Sequence, residues 1–179
     1  MDGAEPVTAE MPVDSTPPFE DAYRRHGKAV HRYCLSQCRD WGIAEDLAHE
    51  TFAKALVAYQ RVAPSSQGLR PWLLAIAHNV CADHGRRQYR RRRLARRVRD
   101  QPAAVADVEL LAERVLDLEL VLAALACCRD TDRELIGLRV AADLSFAEIA
   151  GVMGISEGAA RTATYRALGR LRSRLEARS

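Results

Sequence analysis

The segment from Ser145 to Ser156 restricts the fold of this chain more than any other. In Ser145-Phe146-Ala147-Glu148 the serine is placed to cap a helix N-terminus, and Glu148 to reach back to the cap residue's amide. Gly154 then stops the helix, because glycine enters a left-handed turn at little cost, and Ser156 caps a second helix. A short helix, a glycine turn and a longer helix make a helix-turn-helix. Ile149, Ala150, Val152 and Met153 supply the apolar side of the first helix, and Ile155 is expected to plug the turn. Ala160, Thr164, Ala167, Leu168 and Leu171 pack the second helix back, which leaves Glu157, Arg161, Thr162, Tyr165 and Arg166 facing outward. A helix of this kind enters the major groove with its N-terminal half against base edges, where arginine forks onto guanine.

The rest of the chain is also expected to be helical. No run of β-branched residues alternates with polar ones, so the fold class is all-α: two small helical domains joined by a linker, the second carrying the helix-turn-helix. Met1 to Pro18 holds four prolines and four acids without a base, the composition of a disordered tail. Phe19, Ala22, Tyr23, His26, Val30, Tyr33 and Cys34 recur at helical spacing, giving a helix to about Cys38 that Asp40-Trp41-Gly42 breaks. A second helix runs from about Ile43 to Tyr59 with Leu47, Ala48, Phe52, Ala55, Leu56 and Tyr59 inward. Pro71 opens a third, with Trp72 in the core, that continues through Asn79 and Asp83. A helix from Glu109 to Ala126 carries Leu118, Val121, Leu122 and Leu125, and three more come after it, over about Thr131 to Val140, Ser145 to Met153 and Glu157 to Leu175.

Charge is distributed in blocks. From Arg86 to Arg99 nine of fourteen residues are arginine and none is acidic, whereas from Asp100 to Glu119 six acids face one base. A basic block beside Trp72, His78, Asn79, Asp83 and Tyr89 suits phosphates and unstacked bases. Asp46, His49 and Glu50 share one face of the second helix. A bundle metal centre needs a second Glu-x-x-His copy, which this chain lacks, so the cluster is taken as an acidic surface for a basic partner. His78, Cys81 and His84 drift around their helix and make a poor ligand set. The five cysteines (Cys34, Cys38, Cys81, Cys127, Cys128) do not form paired CxxC elements, so reduced core cysteines are expected, with no metal and no cofactor. No apolar run approaches the roughly 18 to 20 residues of a membrane span, and the N-terminus lacks a secretory pattern, so a cytoplasmic protein is expected.

These motifs together resemble the extracytoplasmic-function sigma factors, the minimal branch of the sigma-70 family. Phe19 to His26 is similar to the family's opening helix, and Ala44-Glu45-Asp46-Leu47-Ala48-His49-Glu50-Thr51-Phe52 to its second. Arg70-Pro71-Trp72-Leu73-Leu74-Ala75-Ile76-Ala77-His78-Asn79-Val80 is similar to its promoter-melting helix. Leu144 to Ala150 and Tyr165-Arg166-Ala167-Leu168-Gly169-Arg170-Leu171 are similar to its C-terminal module. The resemblance implies a tail over 1–18, a region 2-like bundle over 19–98, a linker over 99–114 and a region 4-like domain over 115–179. It implies that Ser156, Glu157, Arg161, Thr162, Tyr165 and Arg166 contact the −35 element. Arg61, His78, Asn79, Asp83, Arg86, Arg87 and Arg90 would contact the −10 element. Glu45, Asp46 and Glu50 would dock on the β′ clamp helices. The implied partners are core RNA polymerase, through the β′ clamp helices and the β flap, and promoter DNA; an anti-sigma factor is a further candidate, and no membrane is implied. Two departures stand out: Cys127-Cys128-Arg129-Asp130-Thr131 replaces a proline-containing turn, and Ala163 replaces a commonly basic residue.

Two other functions compete. A polymerase-independent helix-turn-helix regulator shares the DNA-reading motif but gives no reason for the acidic face or the first bundle. An enzyme is not supported: the string Gly154-Ile155-Ser156-Glu157-Gly158 fits GxSxG in letters only, since it lies between two helices and not on a strand-to-helix elbow, and a phosphate-binding glycine loop and a nucleophile–base pair in motif context are missing.

Overall fold

The computed structural model describes residues 19–59, 61, 68–95 and 112–176. The tail and most of the expected linker lie outside them. Seven α-helices are described: α1 (Phe19–Cys38), α2 (Trp41–Tyr59), α3 (Leu69–Ala95), α4 (Ala112–Ala126), α5 (Asp130–Ile136), α6 (Phe146–Met153) and α7 (Glu157–Glu176). There is no strand among the described residues.

The first unit is α1, α2 and α3. Glu20 and Asp21 sit in the first turn of α1, where the helix dipole favours negative charge. The break between the first two helices falls at Arg39-Asp40, so Trp41 and Gly42 already belong to α2. Arg39 takes the left-handed conformation (φ 61°), Asp40 accepts a hydrogen bond from the Ile43 amide at 2.9 Å, and α2 therefore starts at Trp41. Edge-on aromatic contacts tie α1 to α2: Phe19 to Tyr59 at 5.3 Å and Tyr23 to Phe52 at 4.7 Å between centroids. Tyr59 meets Trp72 of α3 at 6.2 Å, and Trp72 is half-buried at the core's edge. Val30, Tyr33, Cys34, Leu73, Leu74, Ala77 and Val80 fill the centre. Leu56, expected inside, is 45% exposed, because α1 and α3 cover only the side of α2 that carries Ala44, Leu47, Ala48, Phe52 and Ala55.

In the second unit, α5 runs straight into a π turn over Gly137–Ala141, in which the Ala142 amide reaches back to the Gly137 carbonyl at 2.9 Å. Beyond it α6 and α7 form the helix-turn-helix. A small core of Ala124, Leu125, Cys128, Ile136, Ala167 and Leu171 joins α4, α5 and α7. Of the apolar residues that the sequence places on α4, Leu118 and Val121 are exposed and Leu125 is buried. Asp132 is buried and held by Arg170 through a two-bond fork, Nε to Oδ2 at 2.8 Å and Nη2 to Oδ1 at 2.6 Å.

The two units pack on each other. Leu135, Leu138, Ala142, Leu144, Ile149, Ala150 and Ala160 belong to the same apolar cluster as the residues of α1 to α3. Gly137 marks the closest approach: a Cβ there would lie 2.5 Å from Ser36 Oγ and 2.6 Å from Gln37 Nε2. Gln37 also donates to the Arg133 carbonyl at 3.2 Å. Of the cysteines, Cys34 and Cys128 are buried and Cys38 and Cys81 half-buried, but Cys127 is exposed, contrary to a core role for all five. The Cys81 thiol points at Cys34 Sγ at 3.8 Å, and that contact, with burial, pushes its pKa well up. Burial pushes Cys38 to about 11.

Candidate nucleic-acid interface

The turn of the helix-turn-helix is built as its sequence requires. Ser145 Oγ accepts from the Glu148 amide at 3.2 Å, and Glu148 Oε2 accepts from the Ser145 amide at 2.7 Å, so both halves of the capping box are made. Gly154 is left-handed (φ 66°) and ends α6 with its amide on the Ala150 carbonyl. Ser156 Oγ accepts from the Ala159 amide at 3.2 Å, starting α7. Ile155 does not plug the turn: it is 40% exposed, and Ile149 and Ala150 close the inside instead.

On the outer side of α7, Arg161, Thr162, Tyr165 and Arg166 are all exposed and share the N-terminal half of the helix. Arg161 pairs with Glu157 at 2.9 Å and lies 5.2 Å over the Phe146 ring. Tyr165, 62% exposed, leans on the same ring at 5.6 Å, and Arg139 covers it at 5.0 Å. Phe146 is thus a shelf beneath two of the outward residues. By its place in the sequence it belongs only to the capping box. The signal that points to the shelf is an aromatic immediately after an N-cap, one turn from the facing helix.

The expected −10 set falls on several sides of α3. Asn79, Arg86, Arg87 and Arg90 are exposed, and Tyr89 is exposed beside them. Asp83 is salt-bridged to Arg86, whose guanidinium holds the carboxyl below its ordinary range. His78 turns inward: its Nδ1 lies 3.1 Å from the Tyr33 hydroxyl, whereas its neighbour Asn79 is exposed. Burial of Tyr33 raises its phenol pKa well above the usual value, so the hydroxyl keeps its proton, and the His78 tautomer decides which of the two groups donates. Arg61 is exposed in the turn after α2, while 62–67 lie outside the described residues. Side chains of the arginine block are described only as far as Arg91.

The acidic set forms one surface. Glu45 and Asp46 are exposed, and Glu50 is half-buried and paired with Lys54 at 2.7 Å. His49 is exposed on the same helix, and among the described residues no group of three or more His, Cys, Asp or Glu side chains is arranged to hold a metal ion. No helix among them is long and apolar enough to cross a membrane.

Comparison with known proteins accounts for both units. The family model for sigma-70 region 2 matches residues 22–92, and that for sigma-70 region 4 matches 118–171. The RNA polymerase sigma factor CarQ of Myxococcus xanthus is 32% identical, over 88% of each chain. The extracytoplasmic-function sigma factor SigC of Mycobacterium tuberculosis is 38% identical, over 72% of this chain and 68% of that protein. Among solved structures, the sigma factor RpoE of Bartonella quintana, in complex with the anti-sigma factor NepR, is similar with a TM-score of 0.74. It is 25% identical, over 88% of this chain and 96% of that one.

Proposed function

We infer the roles of individual residues from one premise: this chain belongs to the sigma-70 family of RNA polymerase sigma factors, in its extracytoplasmic-function branch. Its function is that of a sigma factor, which binds core RNA polymerase, recognises the −10 and −35 elements of promoters and supports strand opening. A polymerase-independent regulator is not favoured, since both units match the family.

The finer assignments are our own reading. Arg161, Thr162, Tyr165 and Arg166, with Ser156 and Glu157 at the helix start, read the −35 element. The observation that carries this is the exposed N-terminal half of α7, with Arg161 and Tyr165 set on the Phe146 ring. Asn79, Arg86, Arg87 and Arg90, together with Arg61, serve the −10 element and the melted strand, Asn79 toward bases and the arginines toward phosphates. His78 and Asp83 act through their neighbours Tyr33 and Arg86 in this reading, since both are already partnered. Glu45, Asp46 and Glu50 dock on the basic β′ clamp helices, and the second unit on the β flap. The units divide at a linker over 99–114, although Ala112 to Arg114 are helical. An anti-sigma protein is a further proposed partner, because the similar RpoE is solved with one. The chain contributes no catalytic step of its own.

The test is run-off transcription with purified core enzyme, beside co-purification of core with Asp46→Arg/Glu50→Arg. We expect promoter-specific transcripts only when core is present, and loss of core binding by the variant with its helicity kept, since like charge would face the clamp. Co-purification at the wild-type level would remove the docking assignment.

A further inference from the structure

A cavity of about 360 Å³ opens on the seam between the two units, lined by Arg25, His26, Lys28 and Arg32 of α1, Arg70 of α3, and Ala141 and Asp143 at and after the end of the π turn. None of these residues belongs to the promoter-reading sets. Its charge is one-sided: four permanent cations face one carboxylate. Arg32 spends a guanidinium N–H on the Val140 carbonyl at 3.4 Å, and Arg70 donates to the Ala142 carbonyl. Asp143 offers Arg70 only a 3.5 Å ion pair from a carboxylate that is 76% exposed, a weak compensation in water. Arg25 and Lys28 form no salt bridge among the described residues. Arg70 Nε is buried without an acceptor, a donor left unpaired at a cost.

His26 senses this field. Its pKa lies below the ordinary histidine value through burial first, then through the charges of Arg70 and Arg25. The groups facing it are Arg25 and Lys28 on its own helix, Arg70 from α3 and the weakly engaged Asp143. Excess positive charge drawn from two elements, with unused N–H donors, matches an anion carrying two charges and several acceptor oxygens better than a second carboxylate.

We propose that the seam binds a phosphate group, held by Arg25, Lys28 and Arg32 of α1 and Arg70 of α3. The phosphate comes either from the promoter backbone or from a free polyphosphate compound. Arg32 and Arg70 also hold the carbonyls that end the π turn, so the bound phosphate competes with those contacts and couples occupancy to the packing of the two units.

Titration of the full chain with inorganic pyrophosphate, monitored by the NMR signal of the His26 ring across pH, tests this. A saturable response is expected, with the His26 pKa rising by about one unit as an opposite charge arrives within a few ångströms. Arg25→Gln with Lys28→Gln, both remote from the core, should weaken pyrophosphate binding on the order of tenfold. Arg172→Gln, an exposed arginine elsewhere, should leave it unchanged. A second arm measures promoter duplex binding by holoenzyme against salt. A slope lowered by about two units in the Arg25/Lys28 variant identifies the backbone as the source; an unchanged slope, with pyrophosphate binding to the unaltered chain, identifies a free polyphosphate. The proposal fails if His26 gives no saturable response, or the same response in the Arg25/Lys28 variant. It also fails if pyrophosphate binds only after Asp2, Glu5, Glu10 and Asp14 are changed to amides, since the site then belongs to the chain's own acidic segment.

Discussion

The two helices assigned to DNA are built in opposite ways. In α7 the outward groups are arranged before any ligand arrives: Ser156 fixes the helix start, and Phe146 supports Arg161 and Tyr165 from below. In α3 the core ends near Val80, and the helix runs on as a rod whose Arg87 and Arg90 stand free in solvent. Fixed side chains lose little rotamer freedom on binding and reject a misplaced base edge, whereas free arginines track any backbone and carry little sequence information. If the proposed roles hold, the contrast means that one chain separates choice of site from grip on the strand through the rigidity of its side chains.

The largest test concerns the support that both helices stand on. Leu138 is fully buried in the cluster shared by the two units, so Leu138→Ala should cost about 2–5 kcal/mol in a denaturant melt. Both units should be destabilised together, in one transition. A melt that splits, with the α1 to α3 unit unaffected, would break the picture of a common support.

Next comes the contrast itself. Arg161→Ala should cost about 1–3 kcal/mol in binding a duplex that carries the upstream element, if its contact is a bidentate one to guanine. Its effect should vanish on a template with a preformed bubble and no upstream element. Asn79→Ala should do the reverse, weakening permanganate reactivity of thymines near the start site while upstream contact holds. Equal effects of both changes on both templates would erase the distinction between the helices.

A smaller effect sharpens the account of α7. Asp132 is buried, and its Arg170 partner lowers its pKa, so the pair stabilises the folded state above the ordinary carboxylate range. That stabilisation is lost as pH falls through the lowered folded value. Arg170→Ala should therefore lower the melting temperature by several degrees at neutral pH, and the deficit should shrink in acid, where Asp132 protonates in both proteins. A deficit that is constant with pH would mean that Arg170 acts by packing alone.

The smallest effect at any one salt concentration is expected from Arg87→Ala. Affinity should fall for all promoters alike, and the log–log salt slope should flatten by about one unit. A promoter-selective loss would make Arg87 a base reader and bring α3 closer in kind to α7.

Much of this was legible in the sequence because caps and charge blocks are local. Ser145, Glu148, Gly154 and Ser156 determine their turn with no help from distant residues, and their hydrogen bonds form as their spacing predicts. Periodicity cannot tell which neighbour covers a face. Leu56 and Ile155 look inward by spacing yet are exposed, because no helix among the described residues covers them. The Tyr33–His78 bond and the Asp132–Arg170 fork join residues 45 and 38 positions apart, and neither partner signals the other along the chain. Gly137 gave no sign of its role either, since its significance lies in Ser36 and Gln37 on another helix.

The π turn ahead of the helix-turn-helix has a consequence for orientation. A π turn accommodates one residue more than an α turn would, and each added residue of helix rotates the next segment by about 100°. The bearing of α6 and α7 relative to α5 is therefore set jointly by the residue count within Gly137–Ala141 and by the non-helical stretch 142–145, where Asp143 is left-handed (φ 53°). Removing a single residue from the π turn would leave the caps at Ser145, Gly154 and Ser156 intact and turn the chain that leads into them by about 100°.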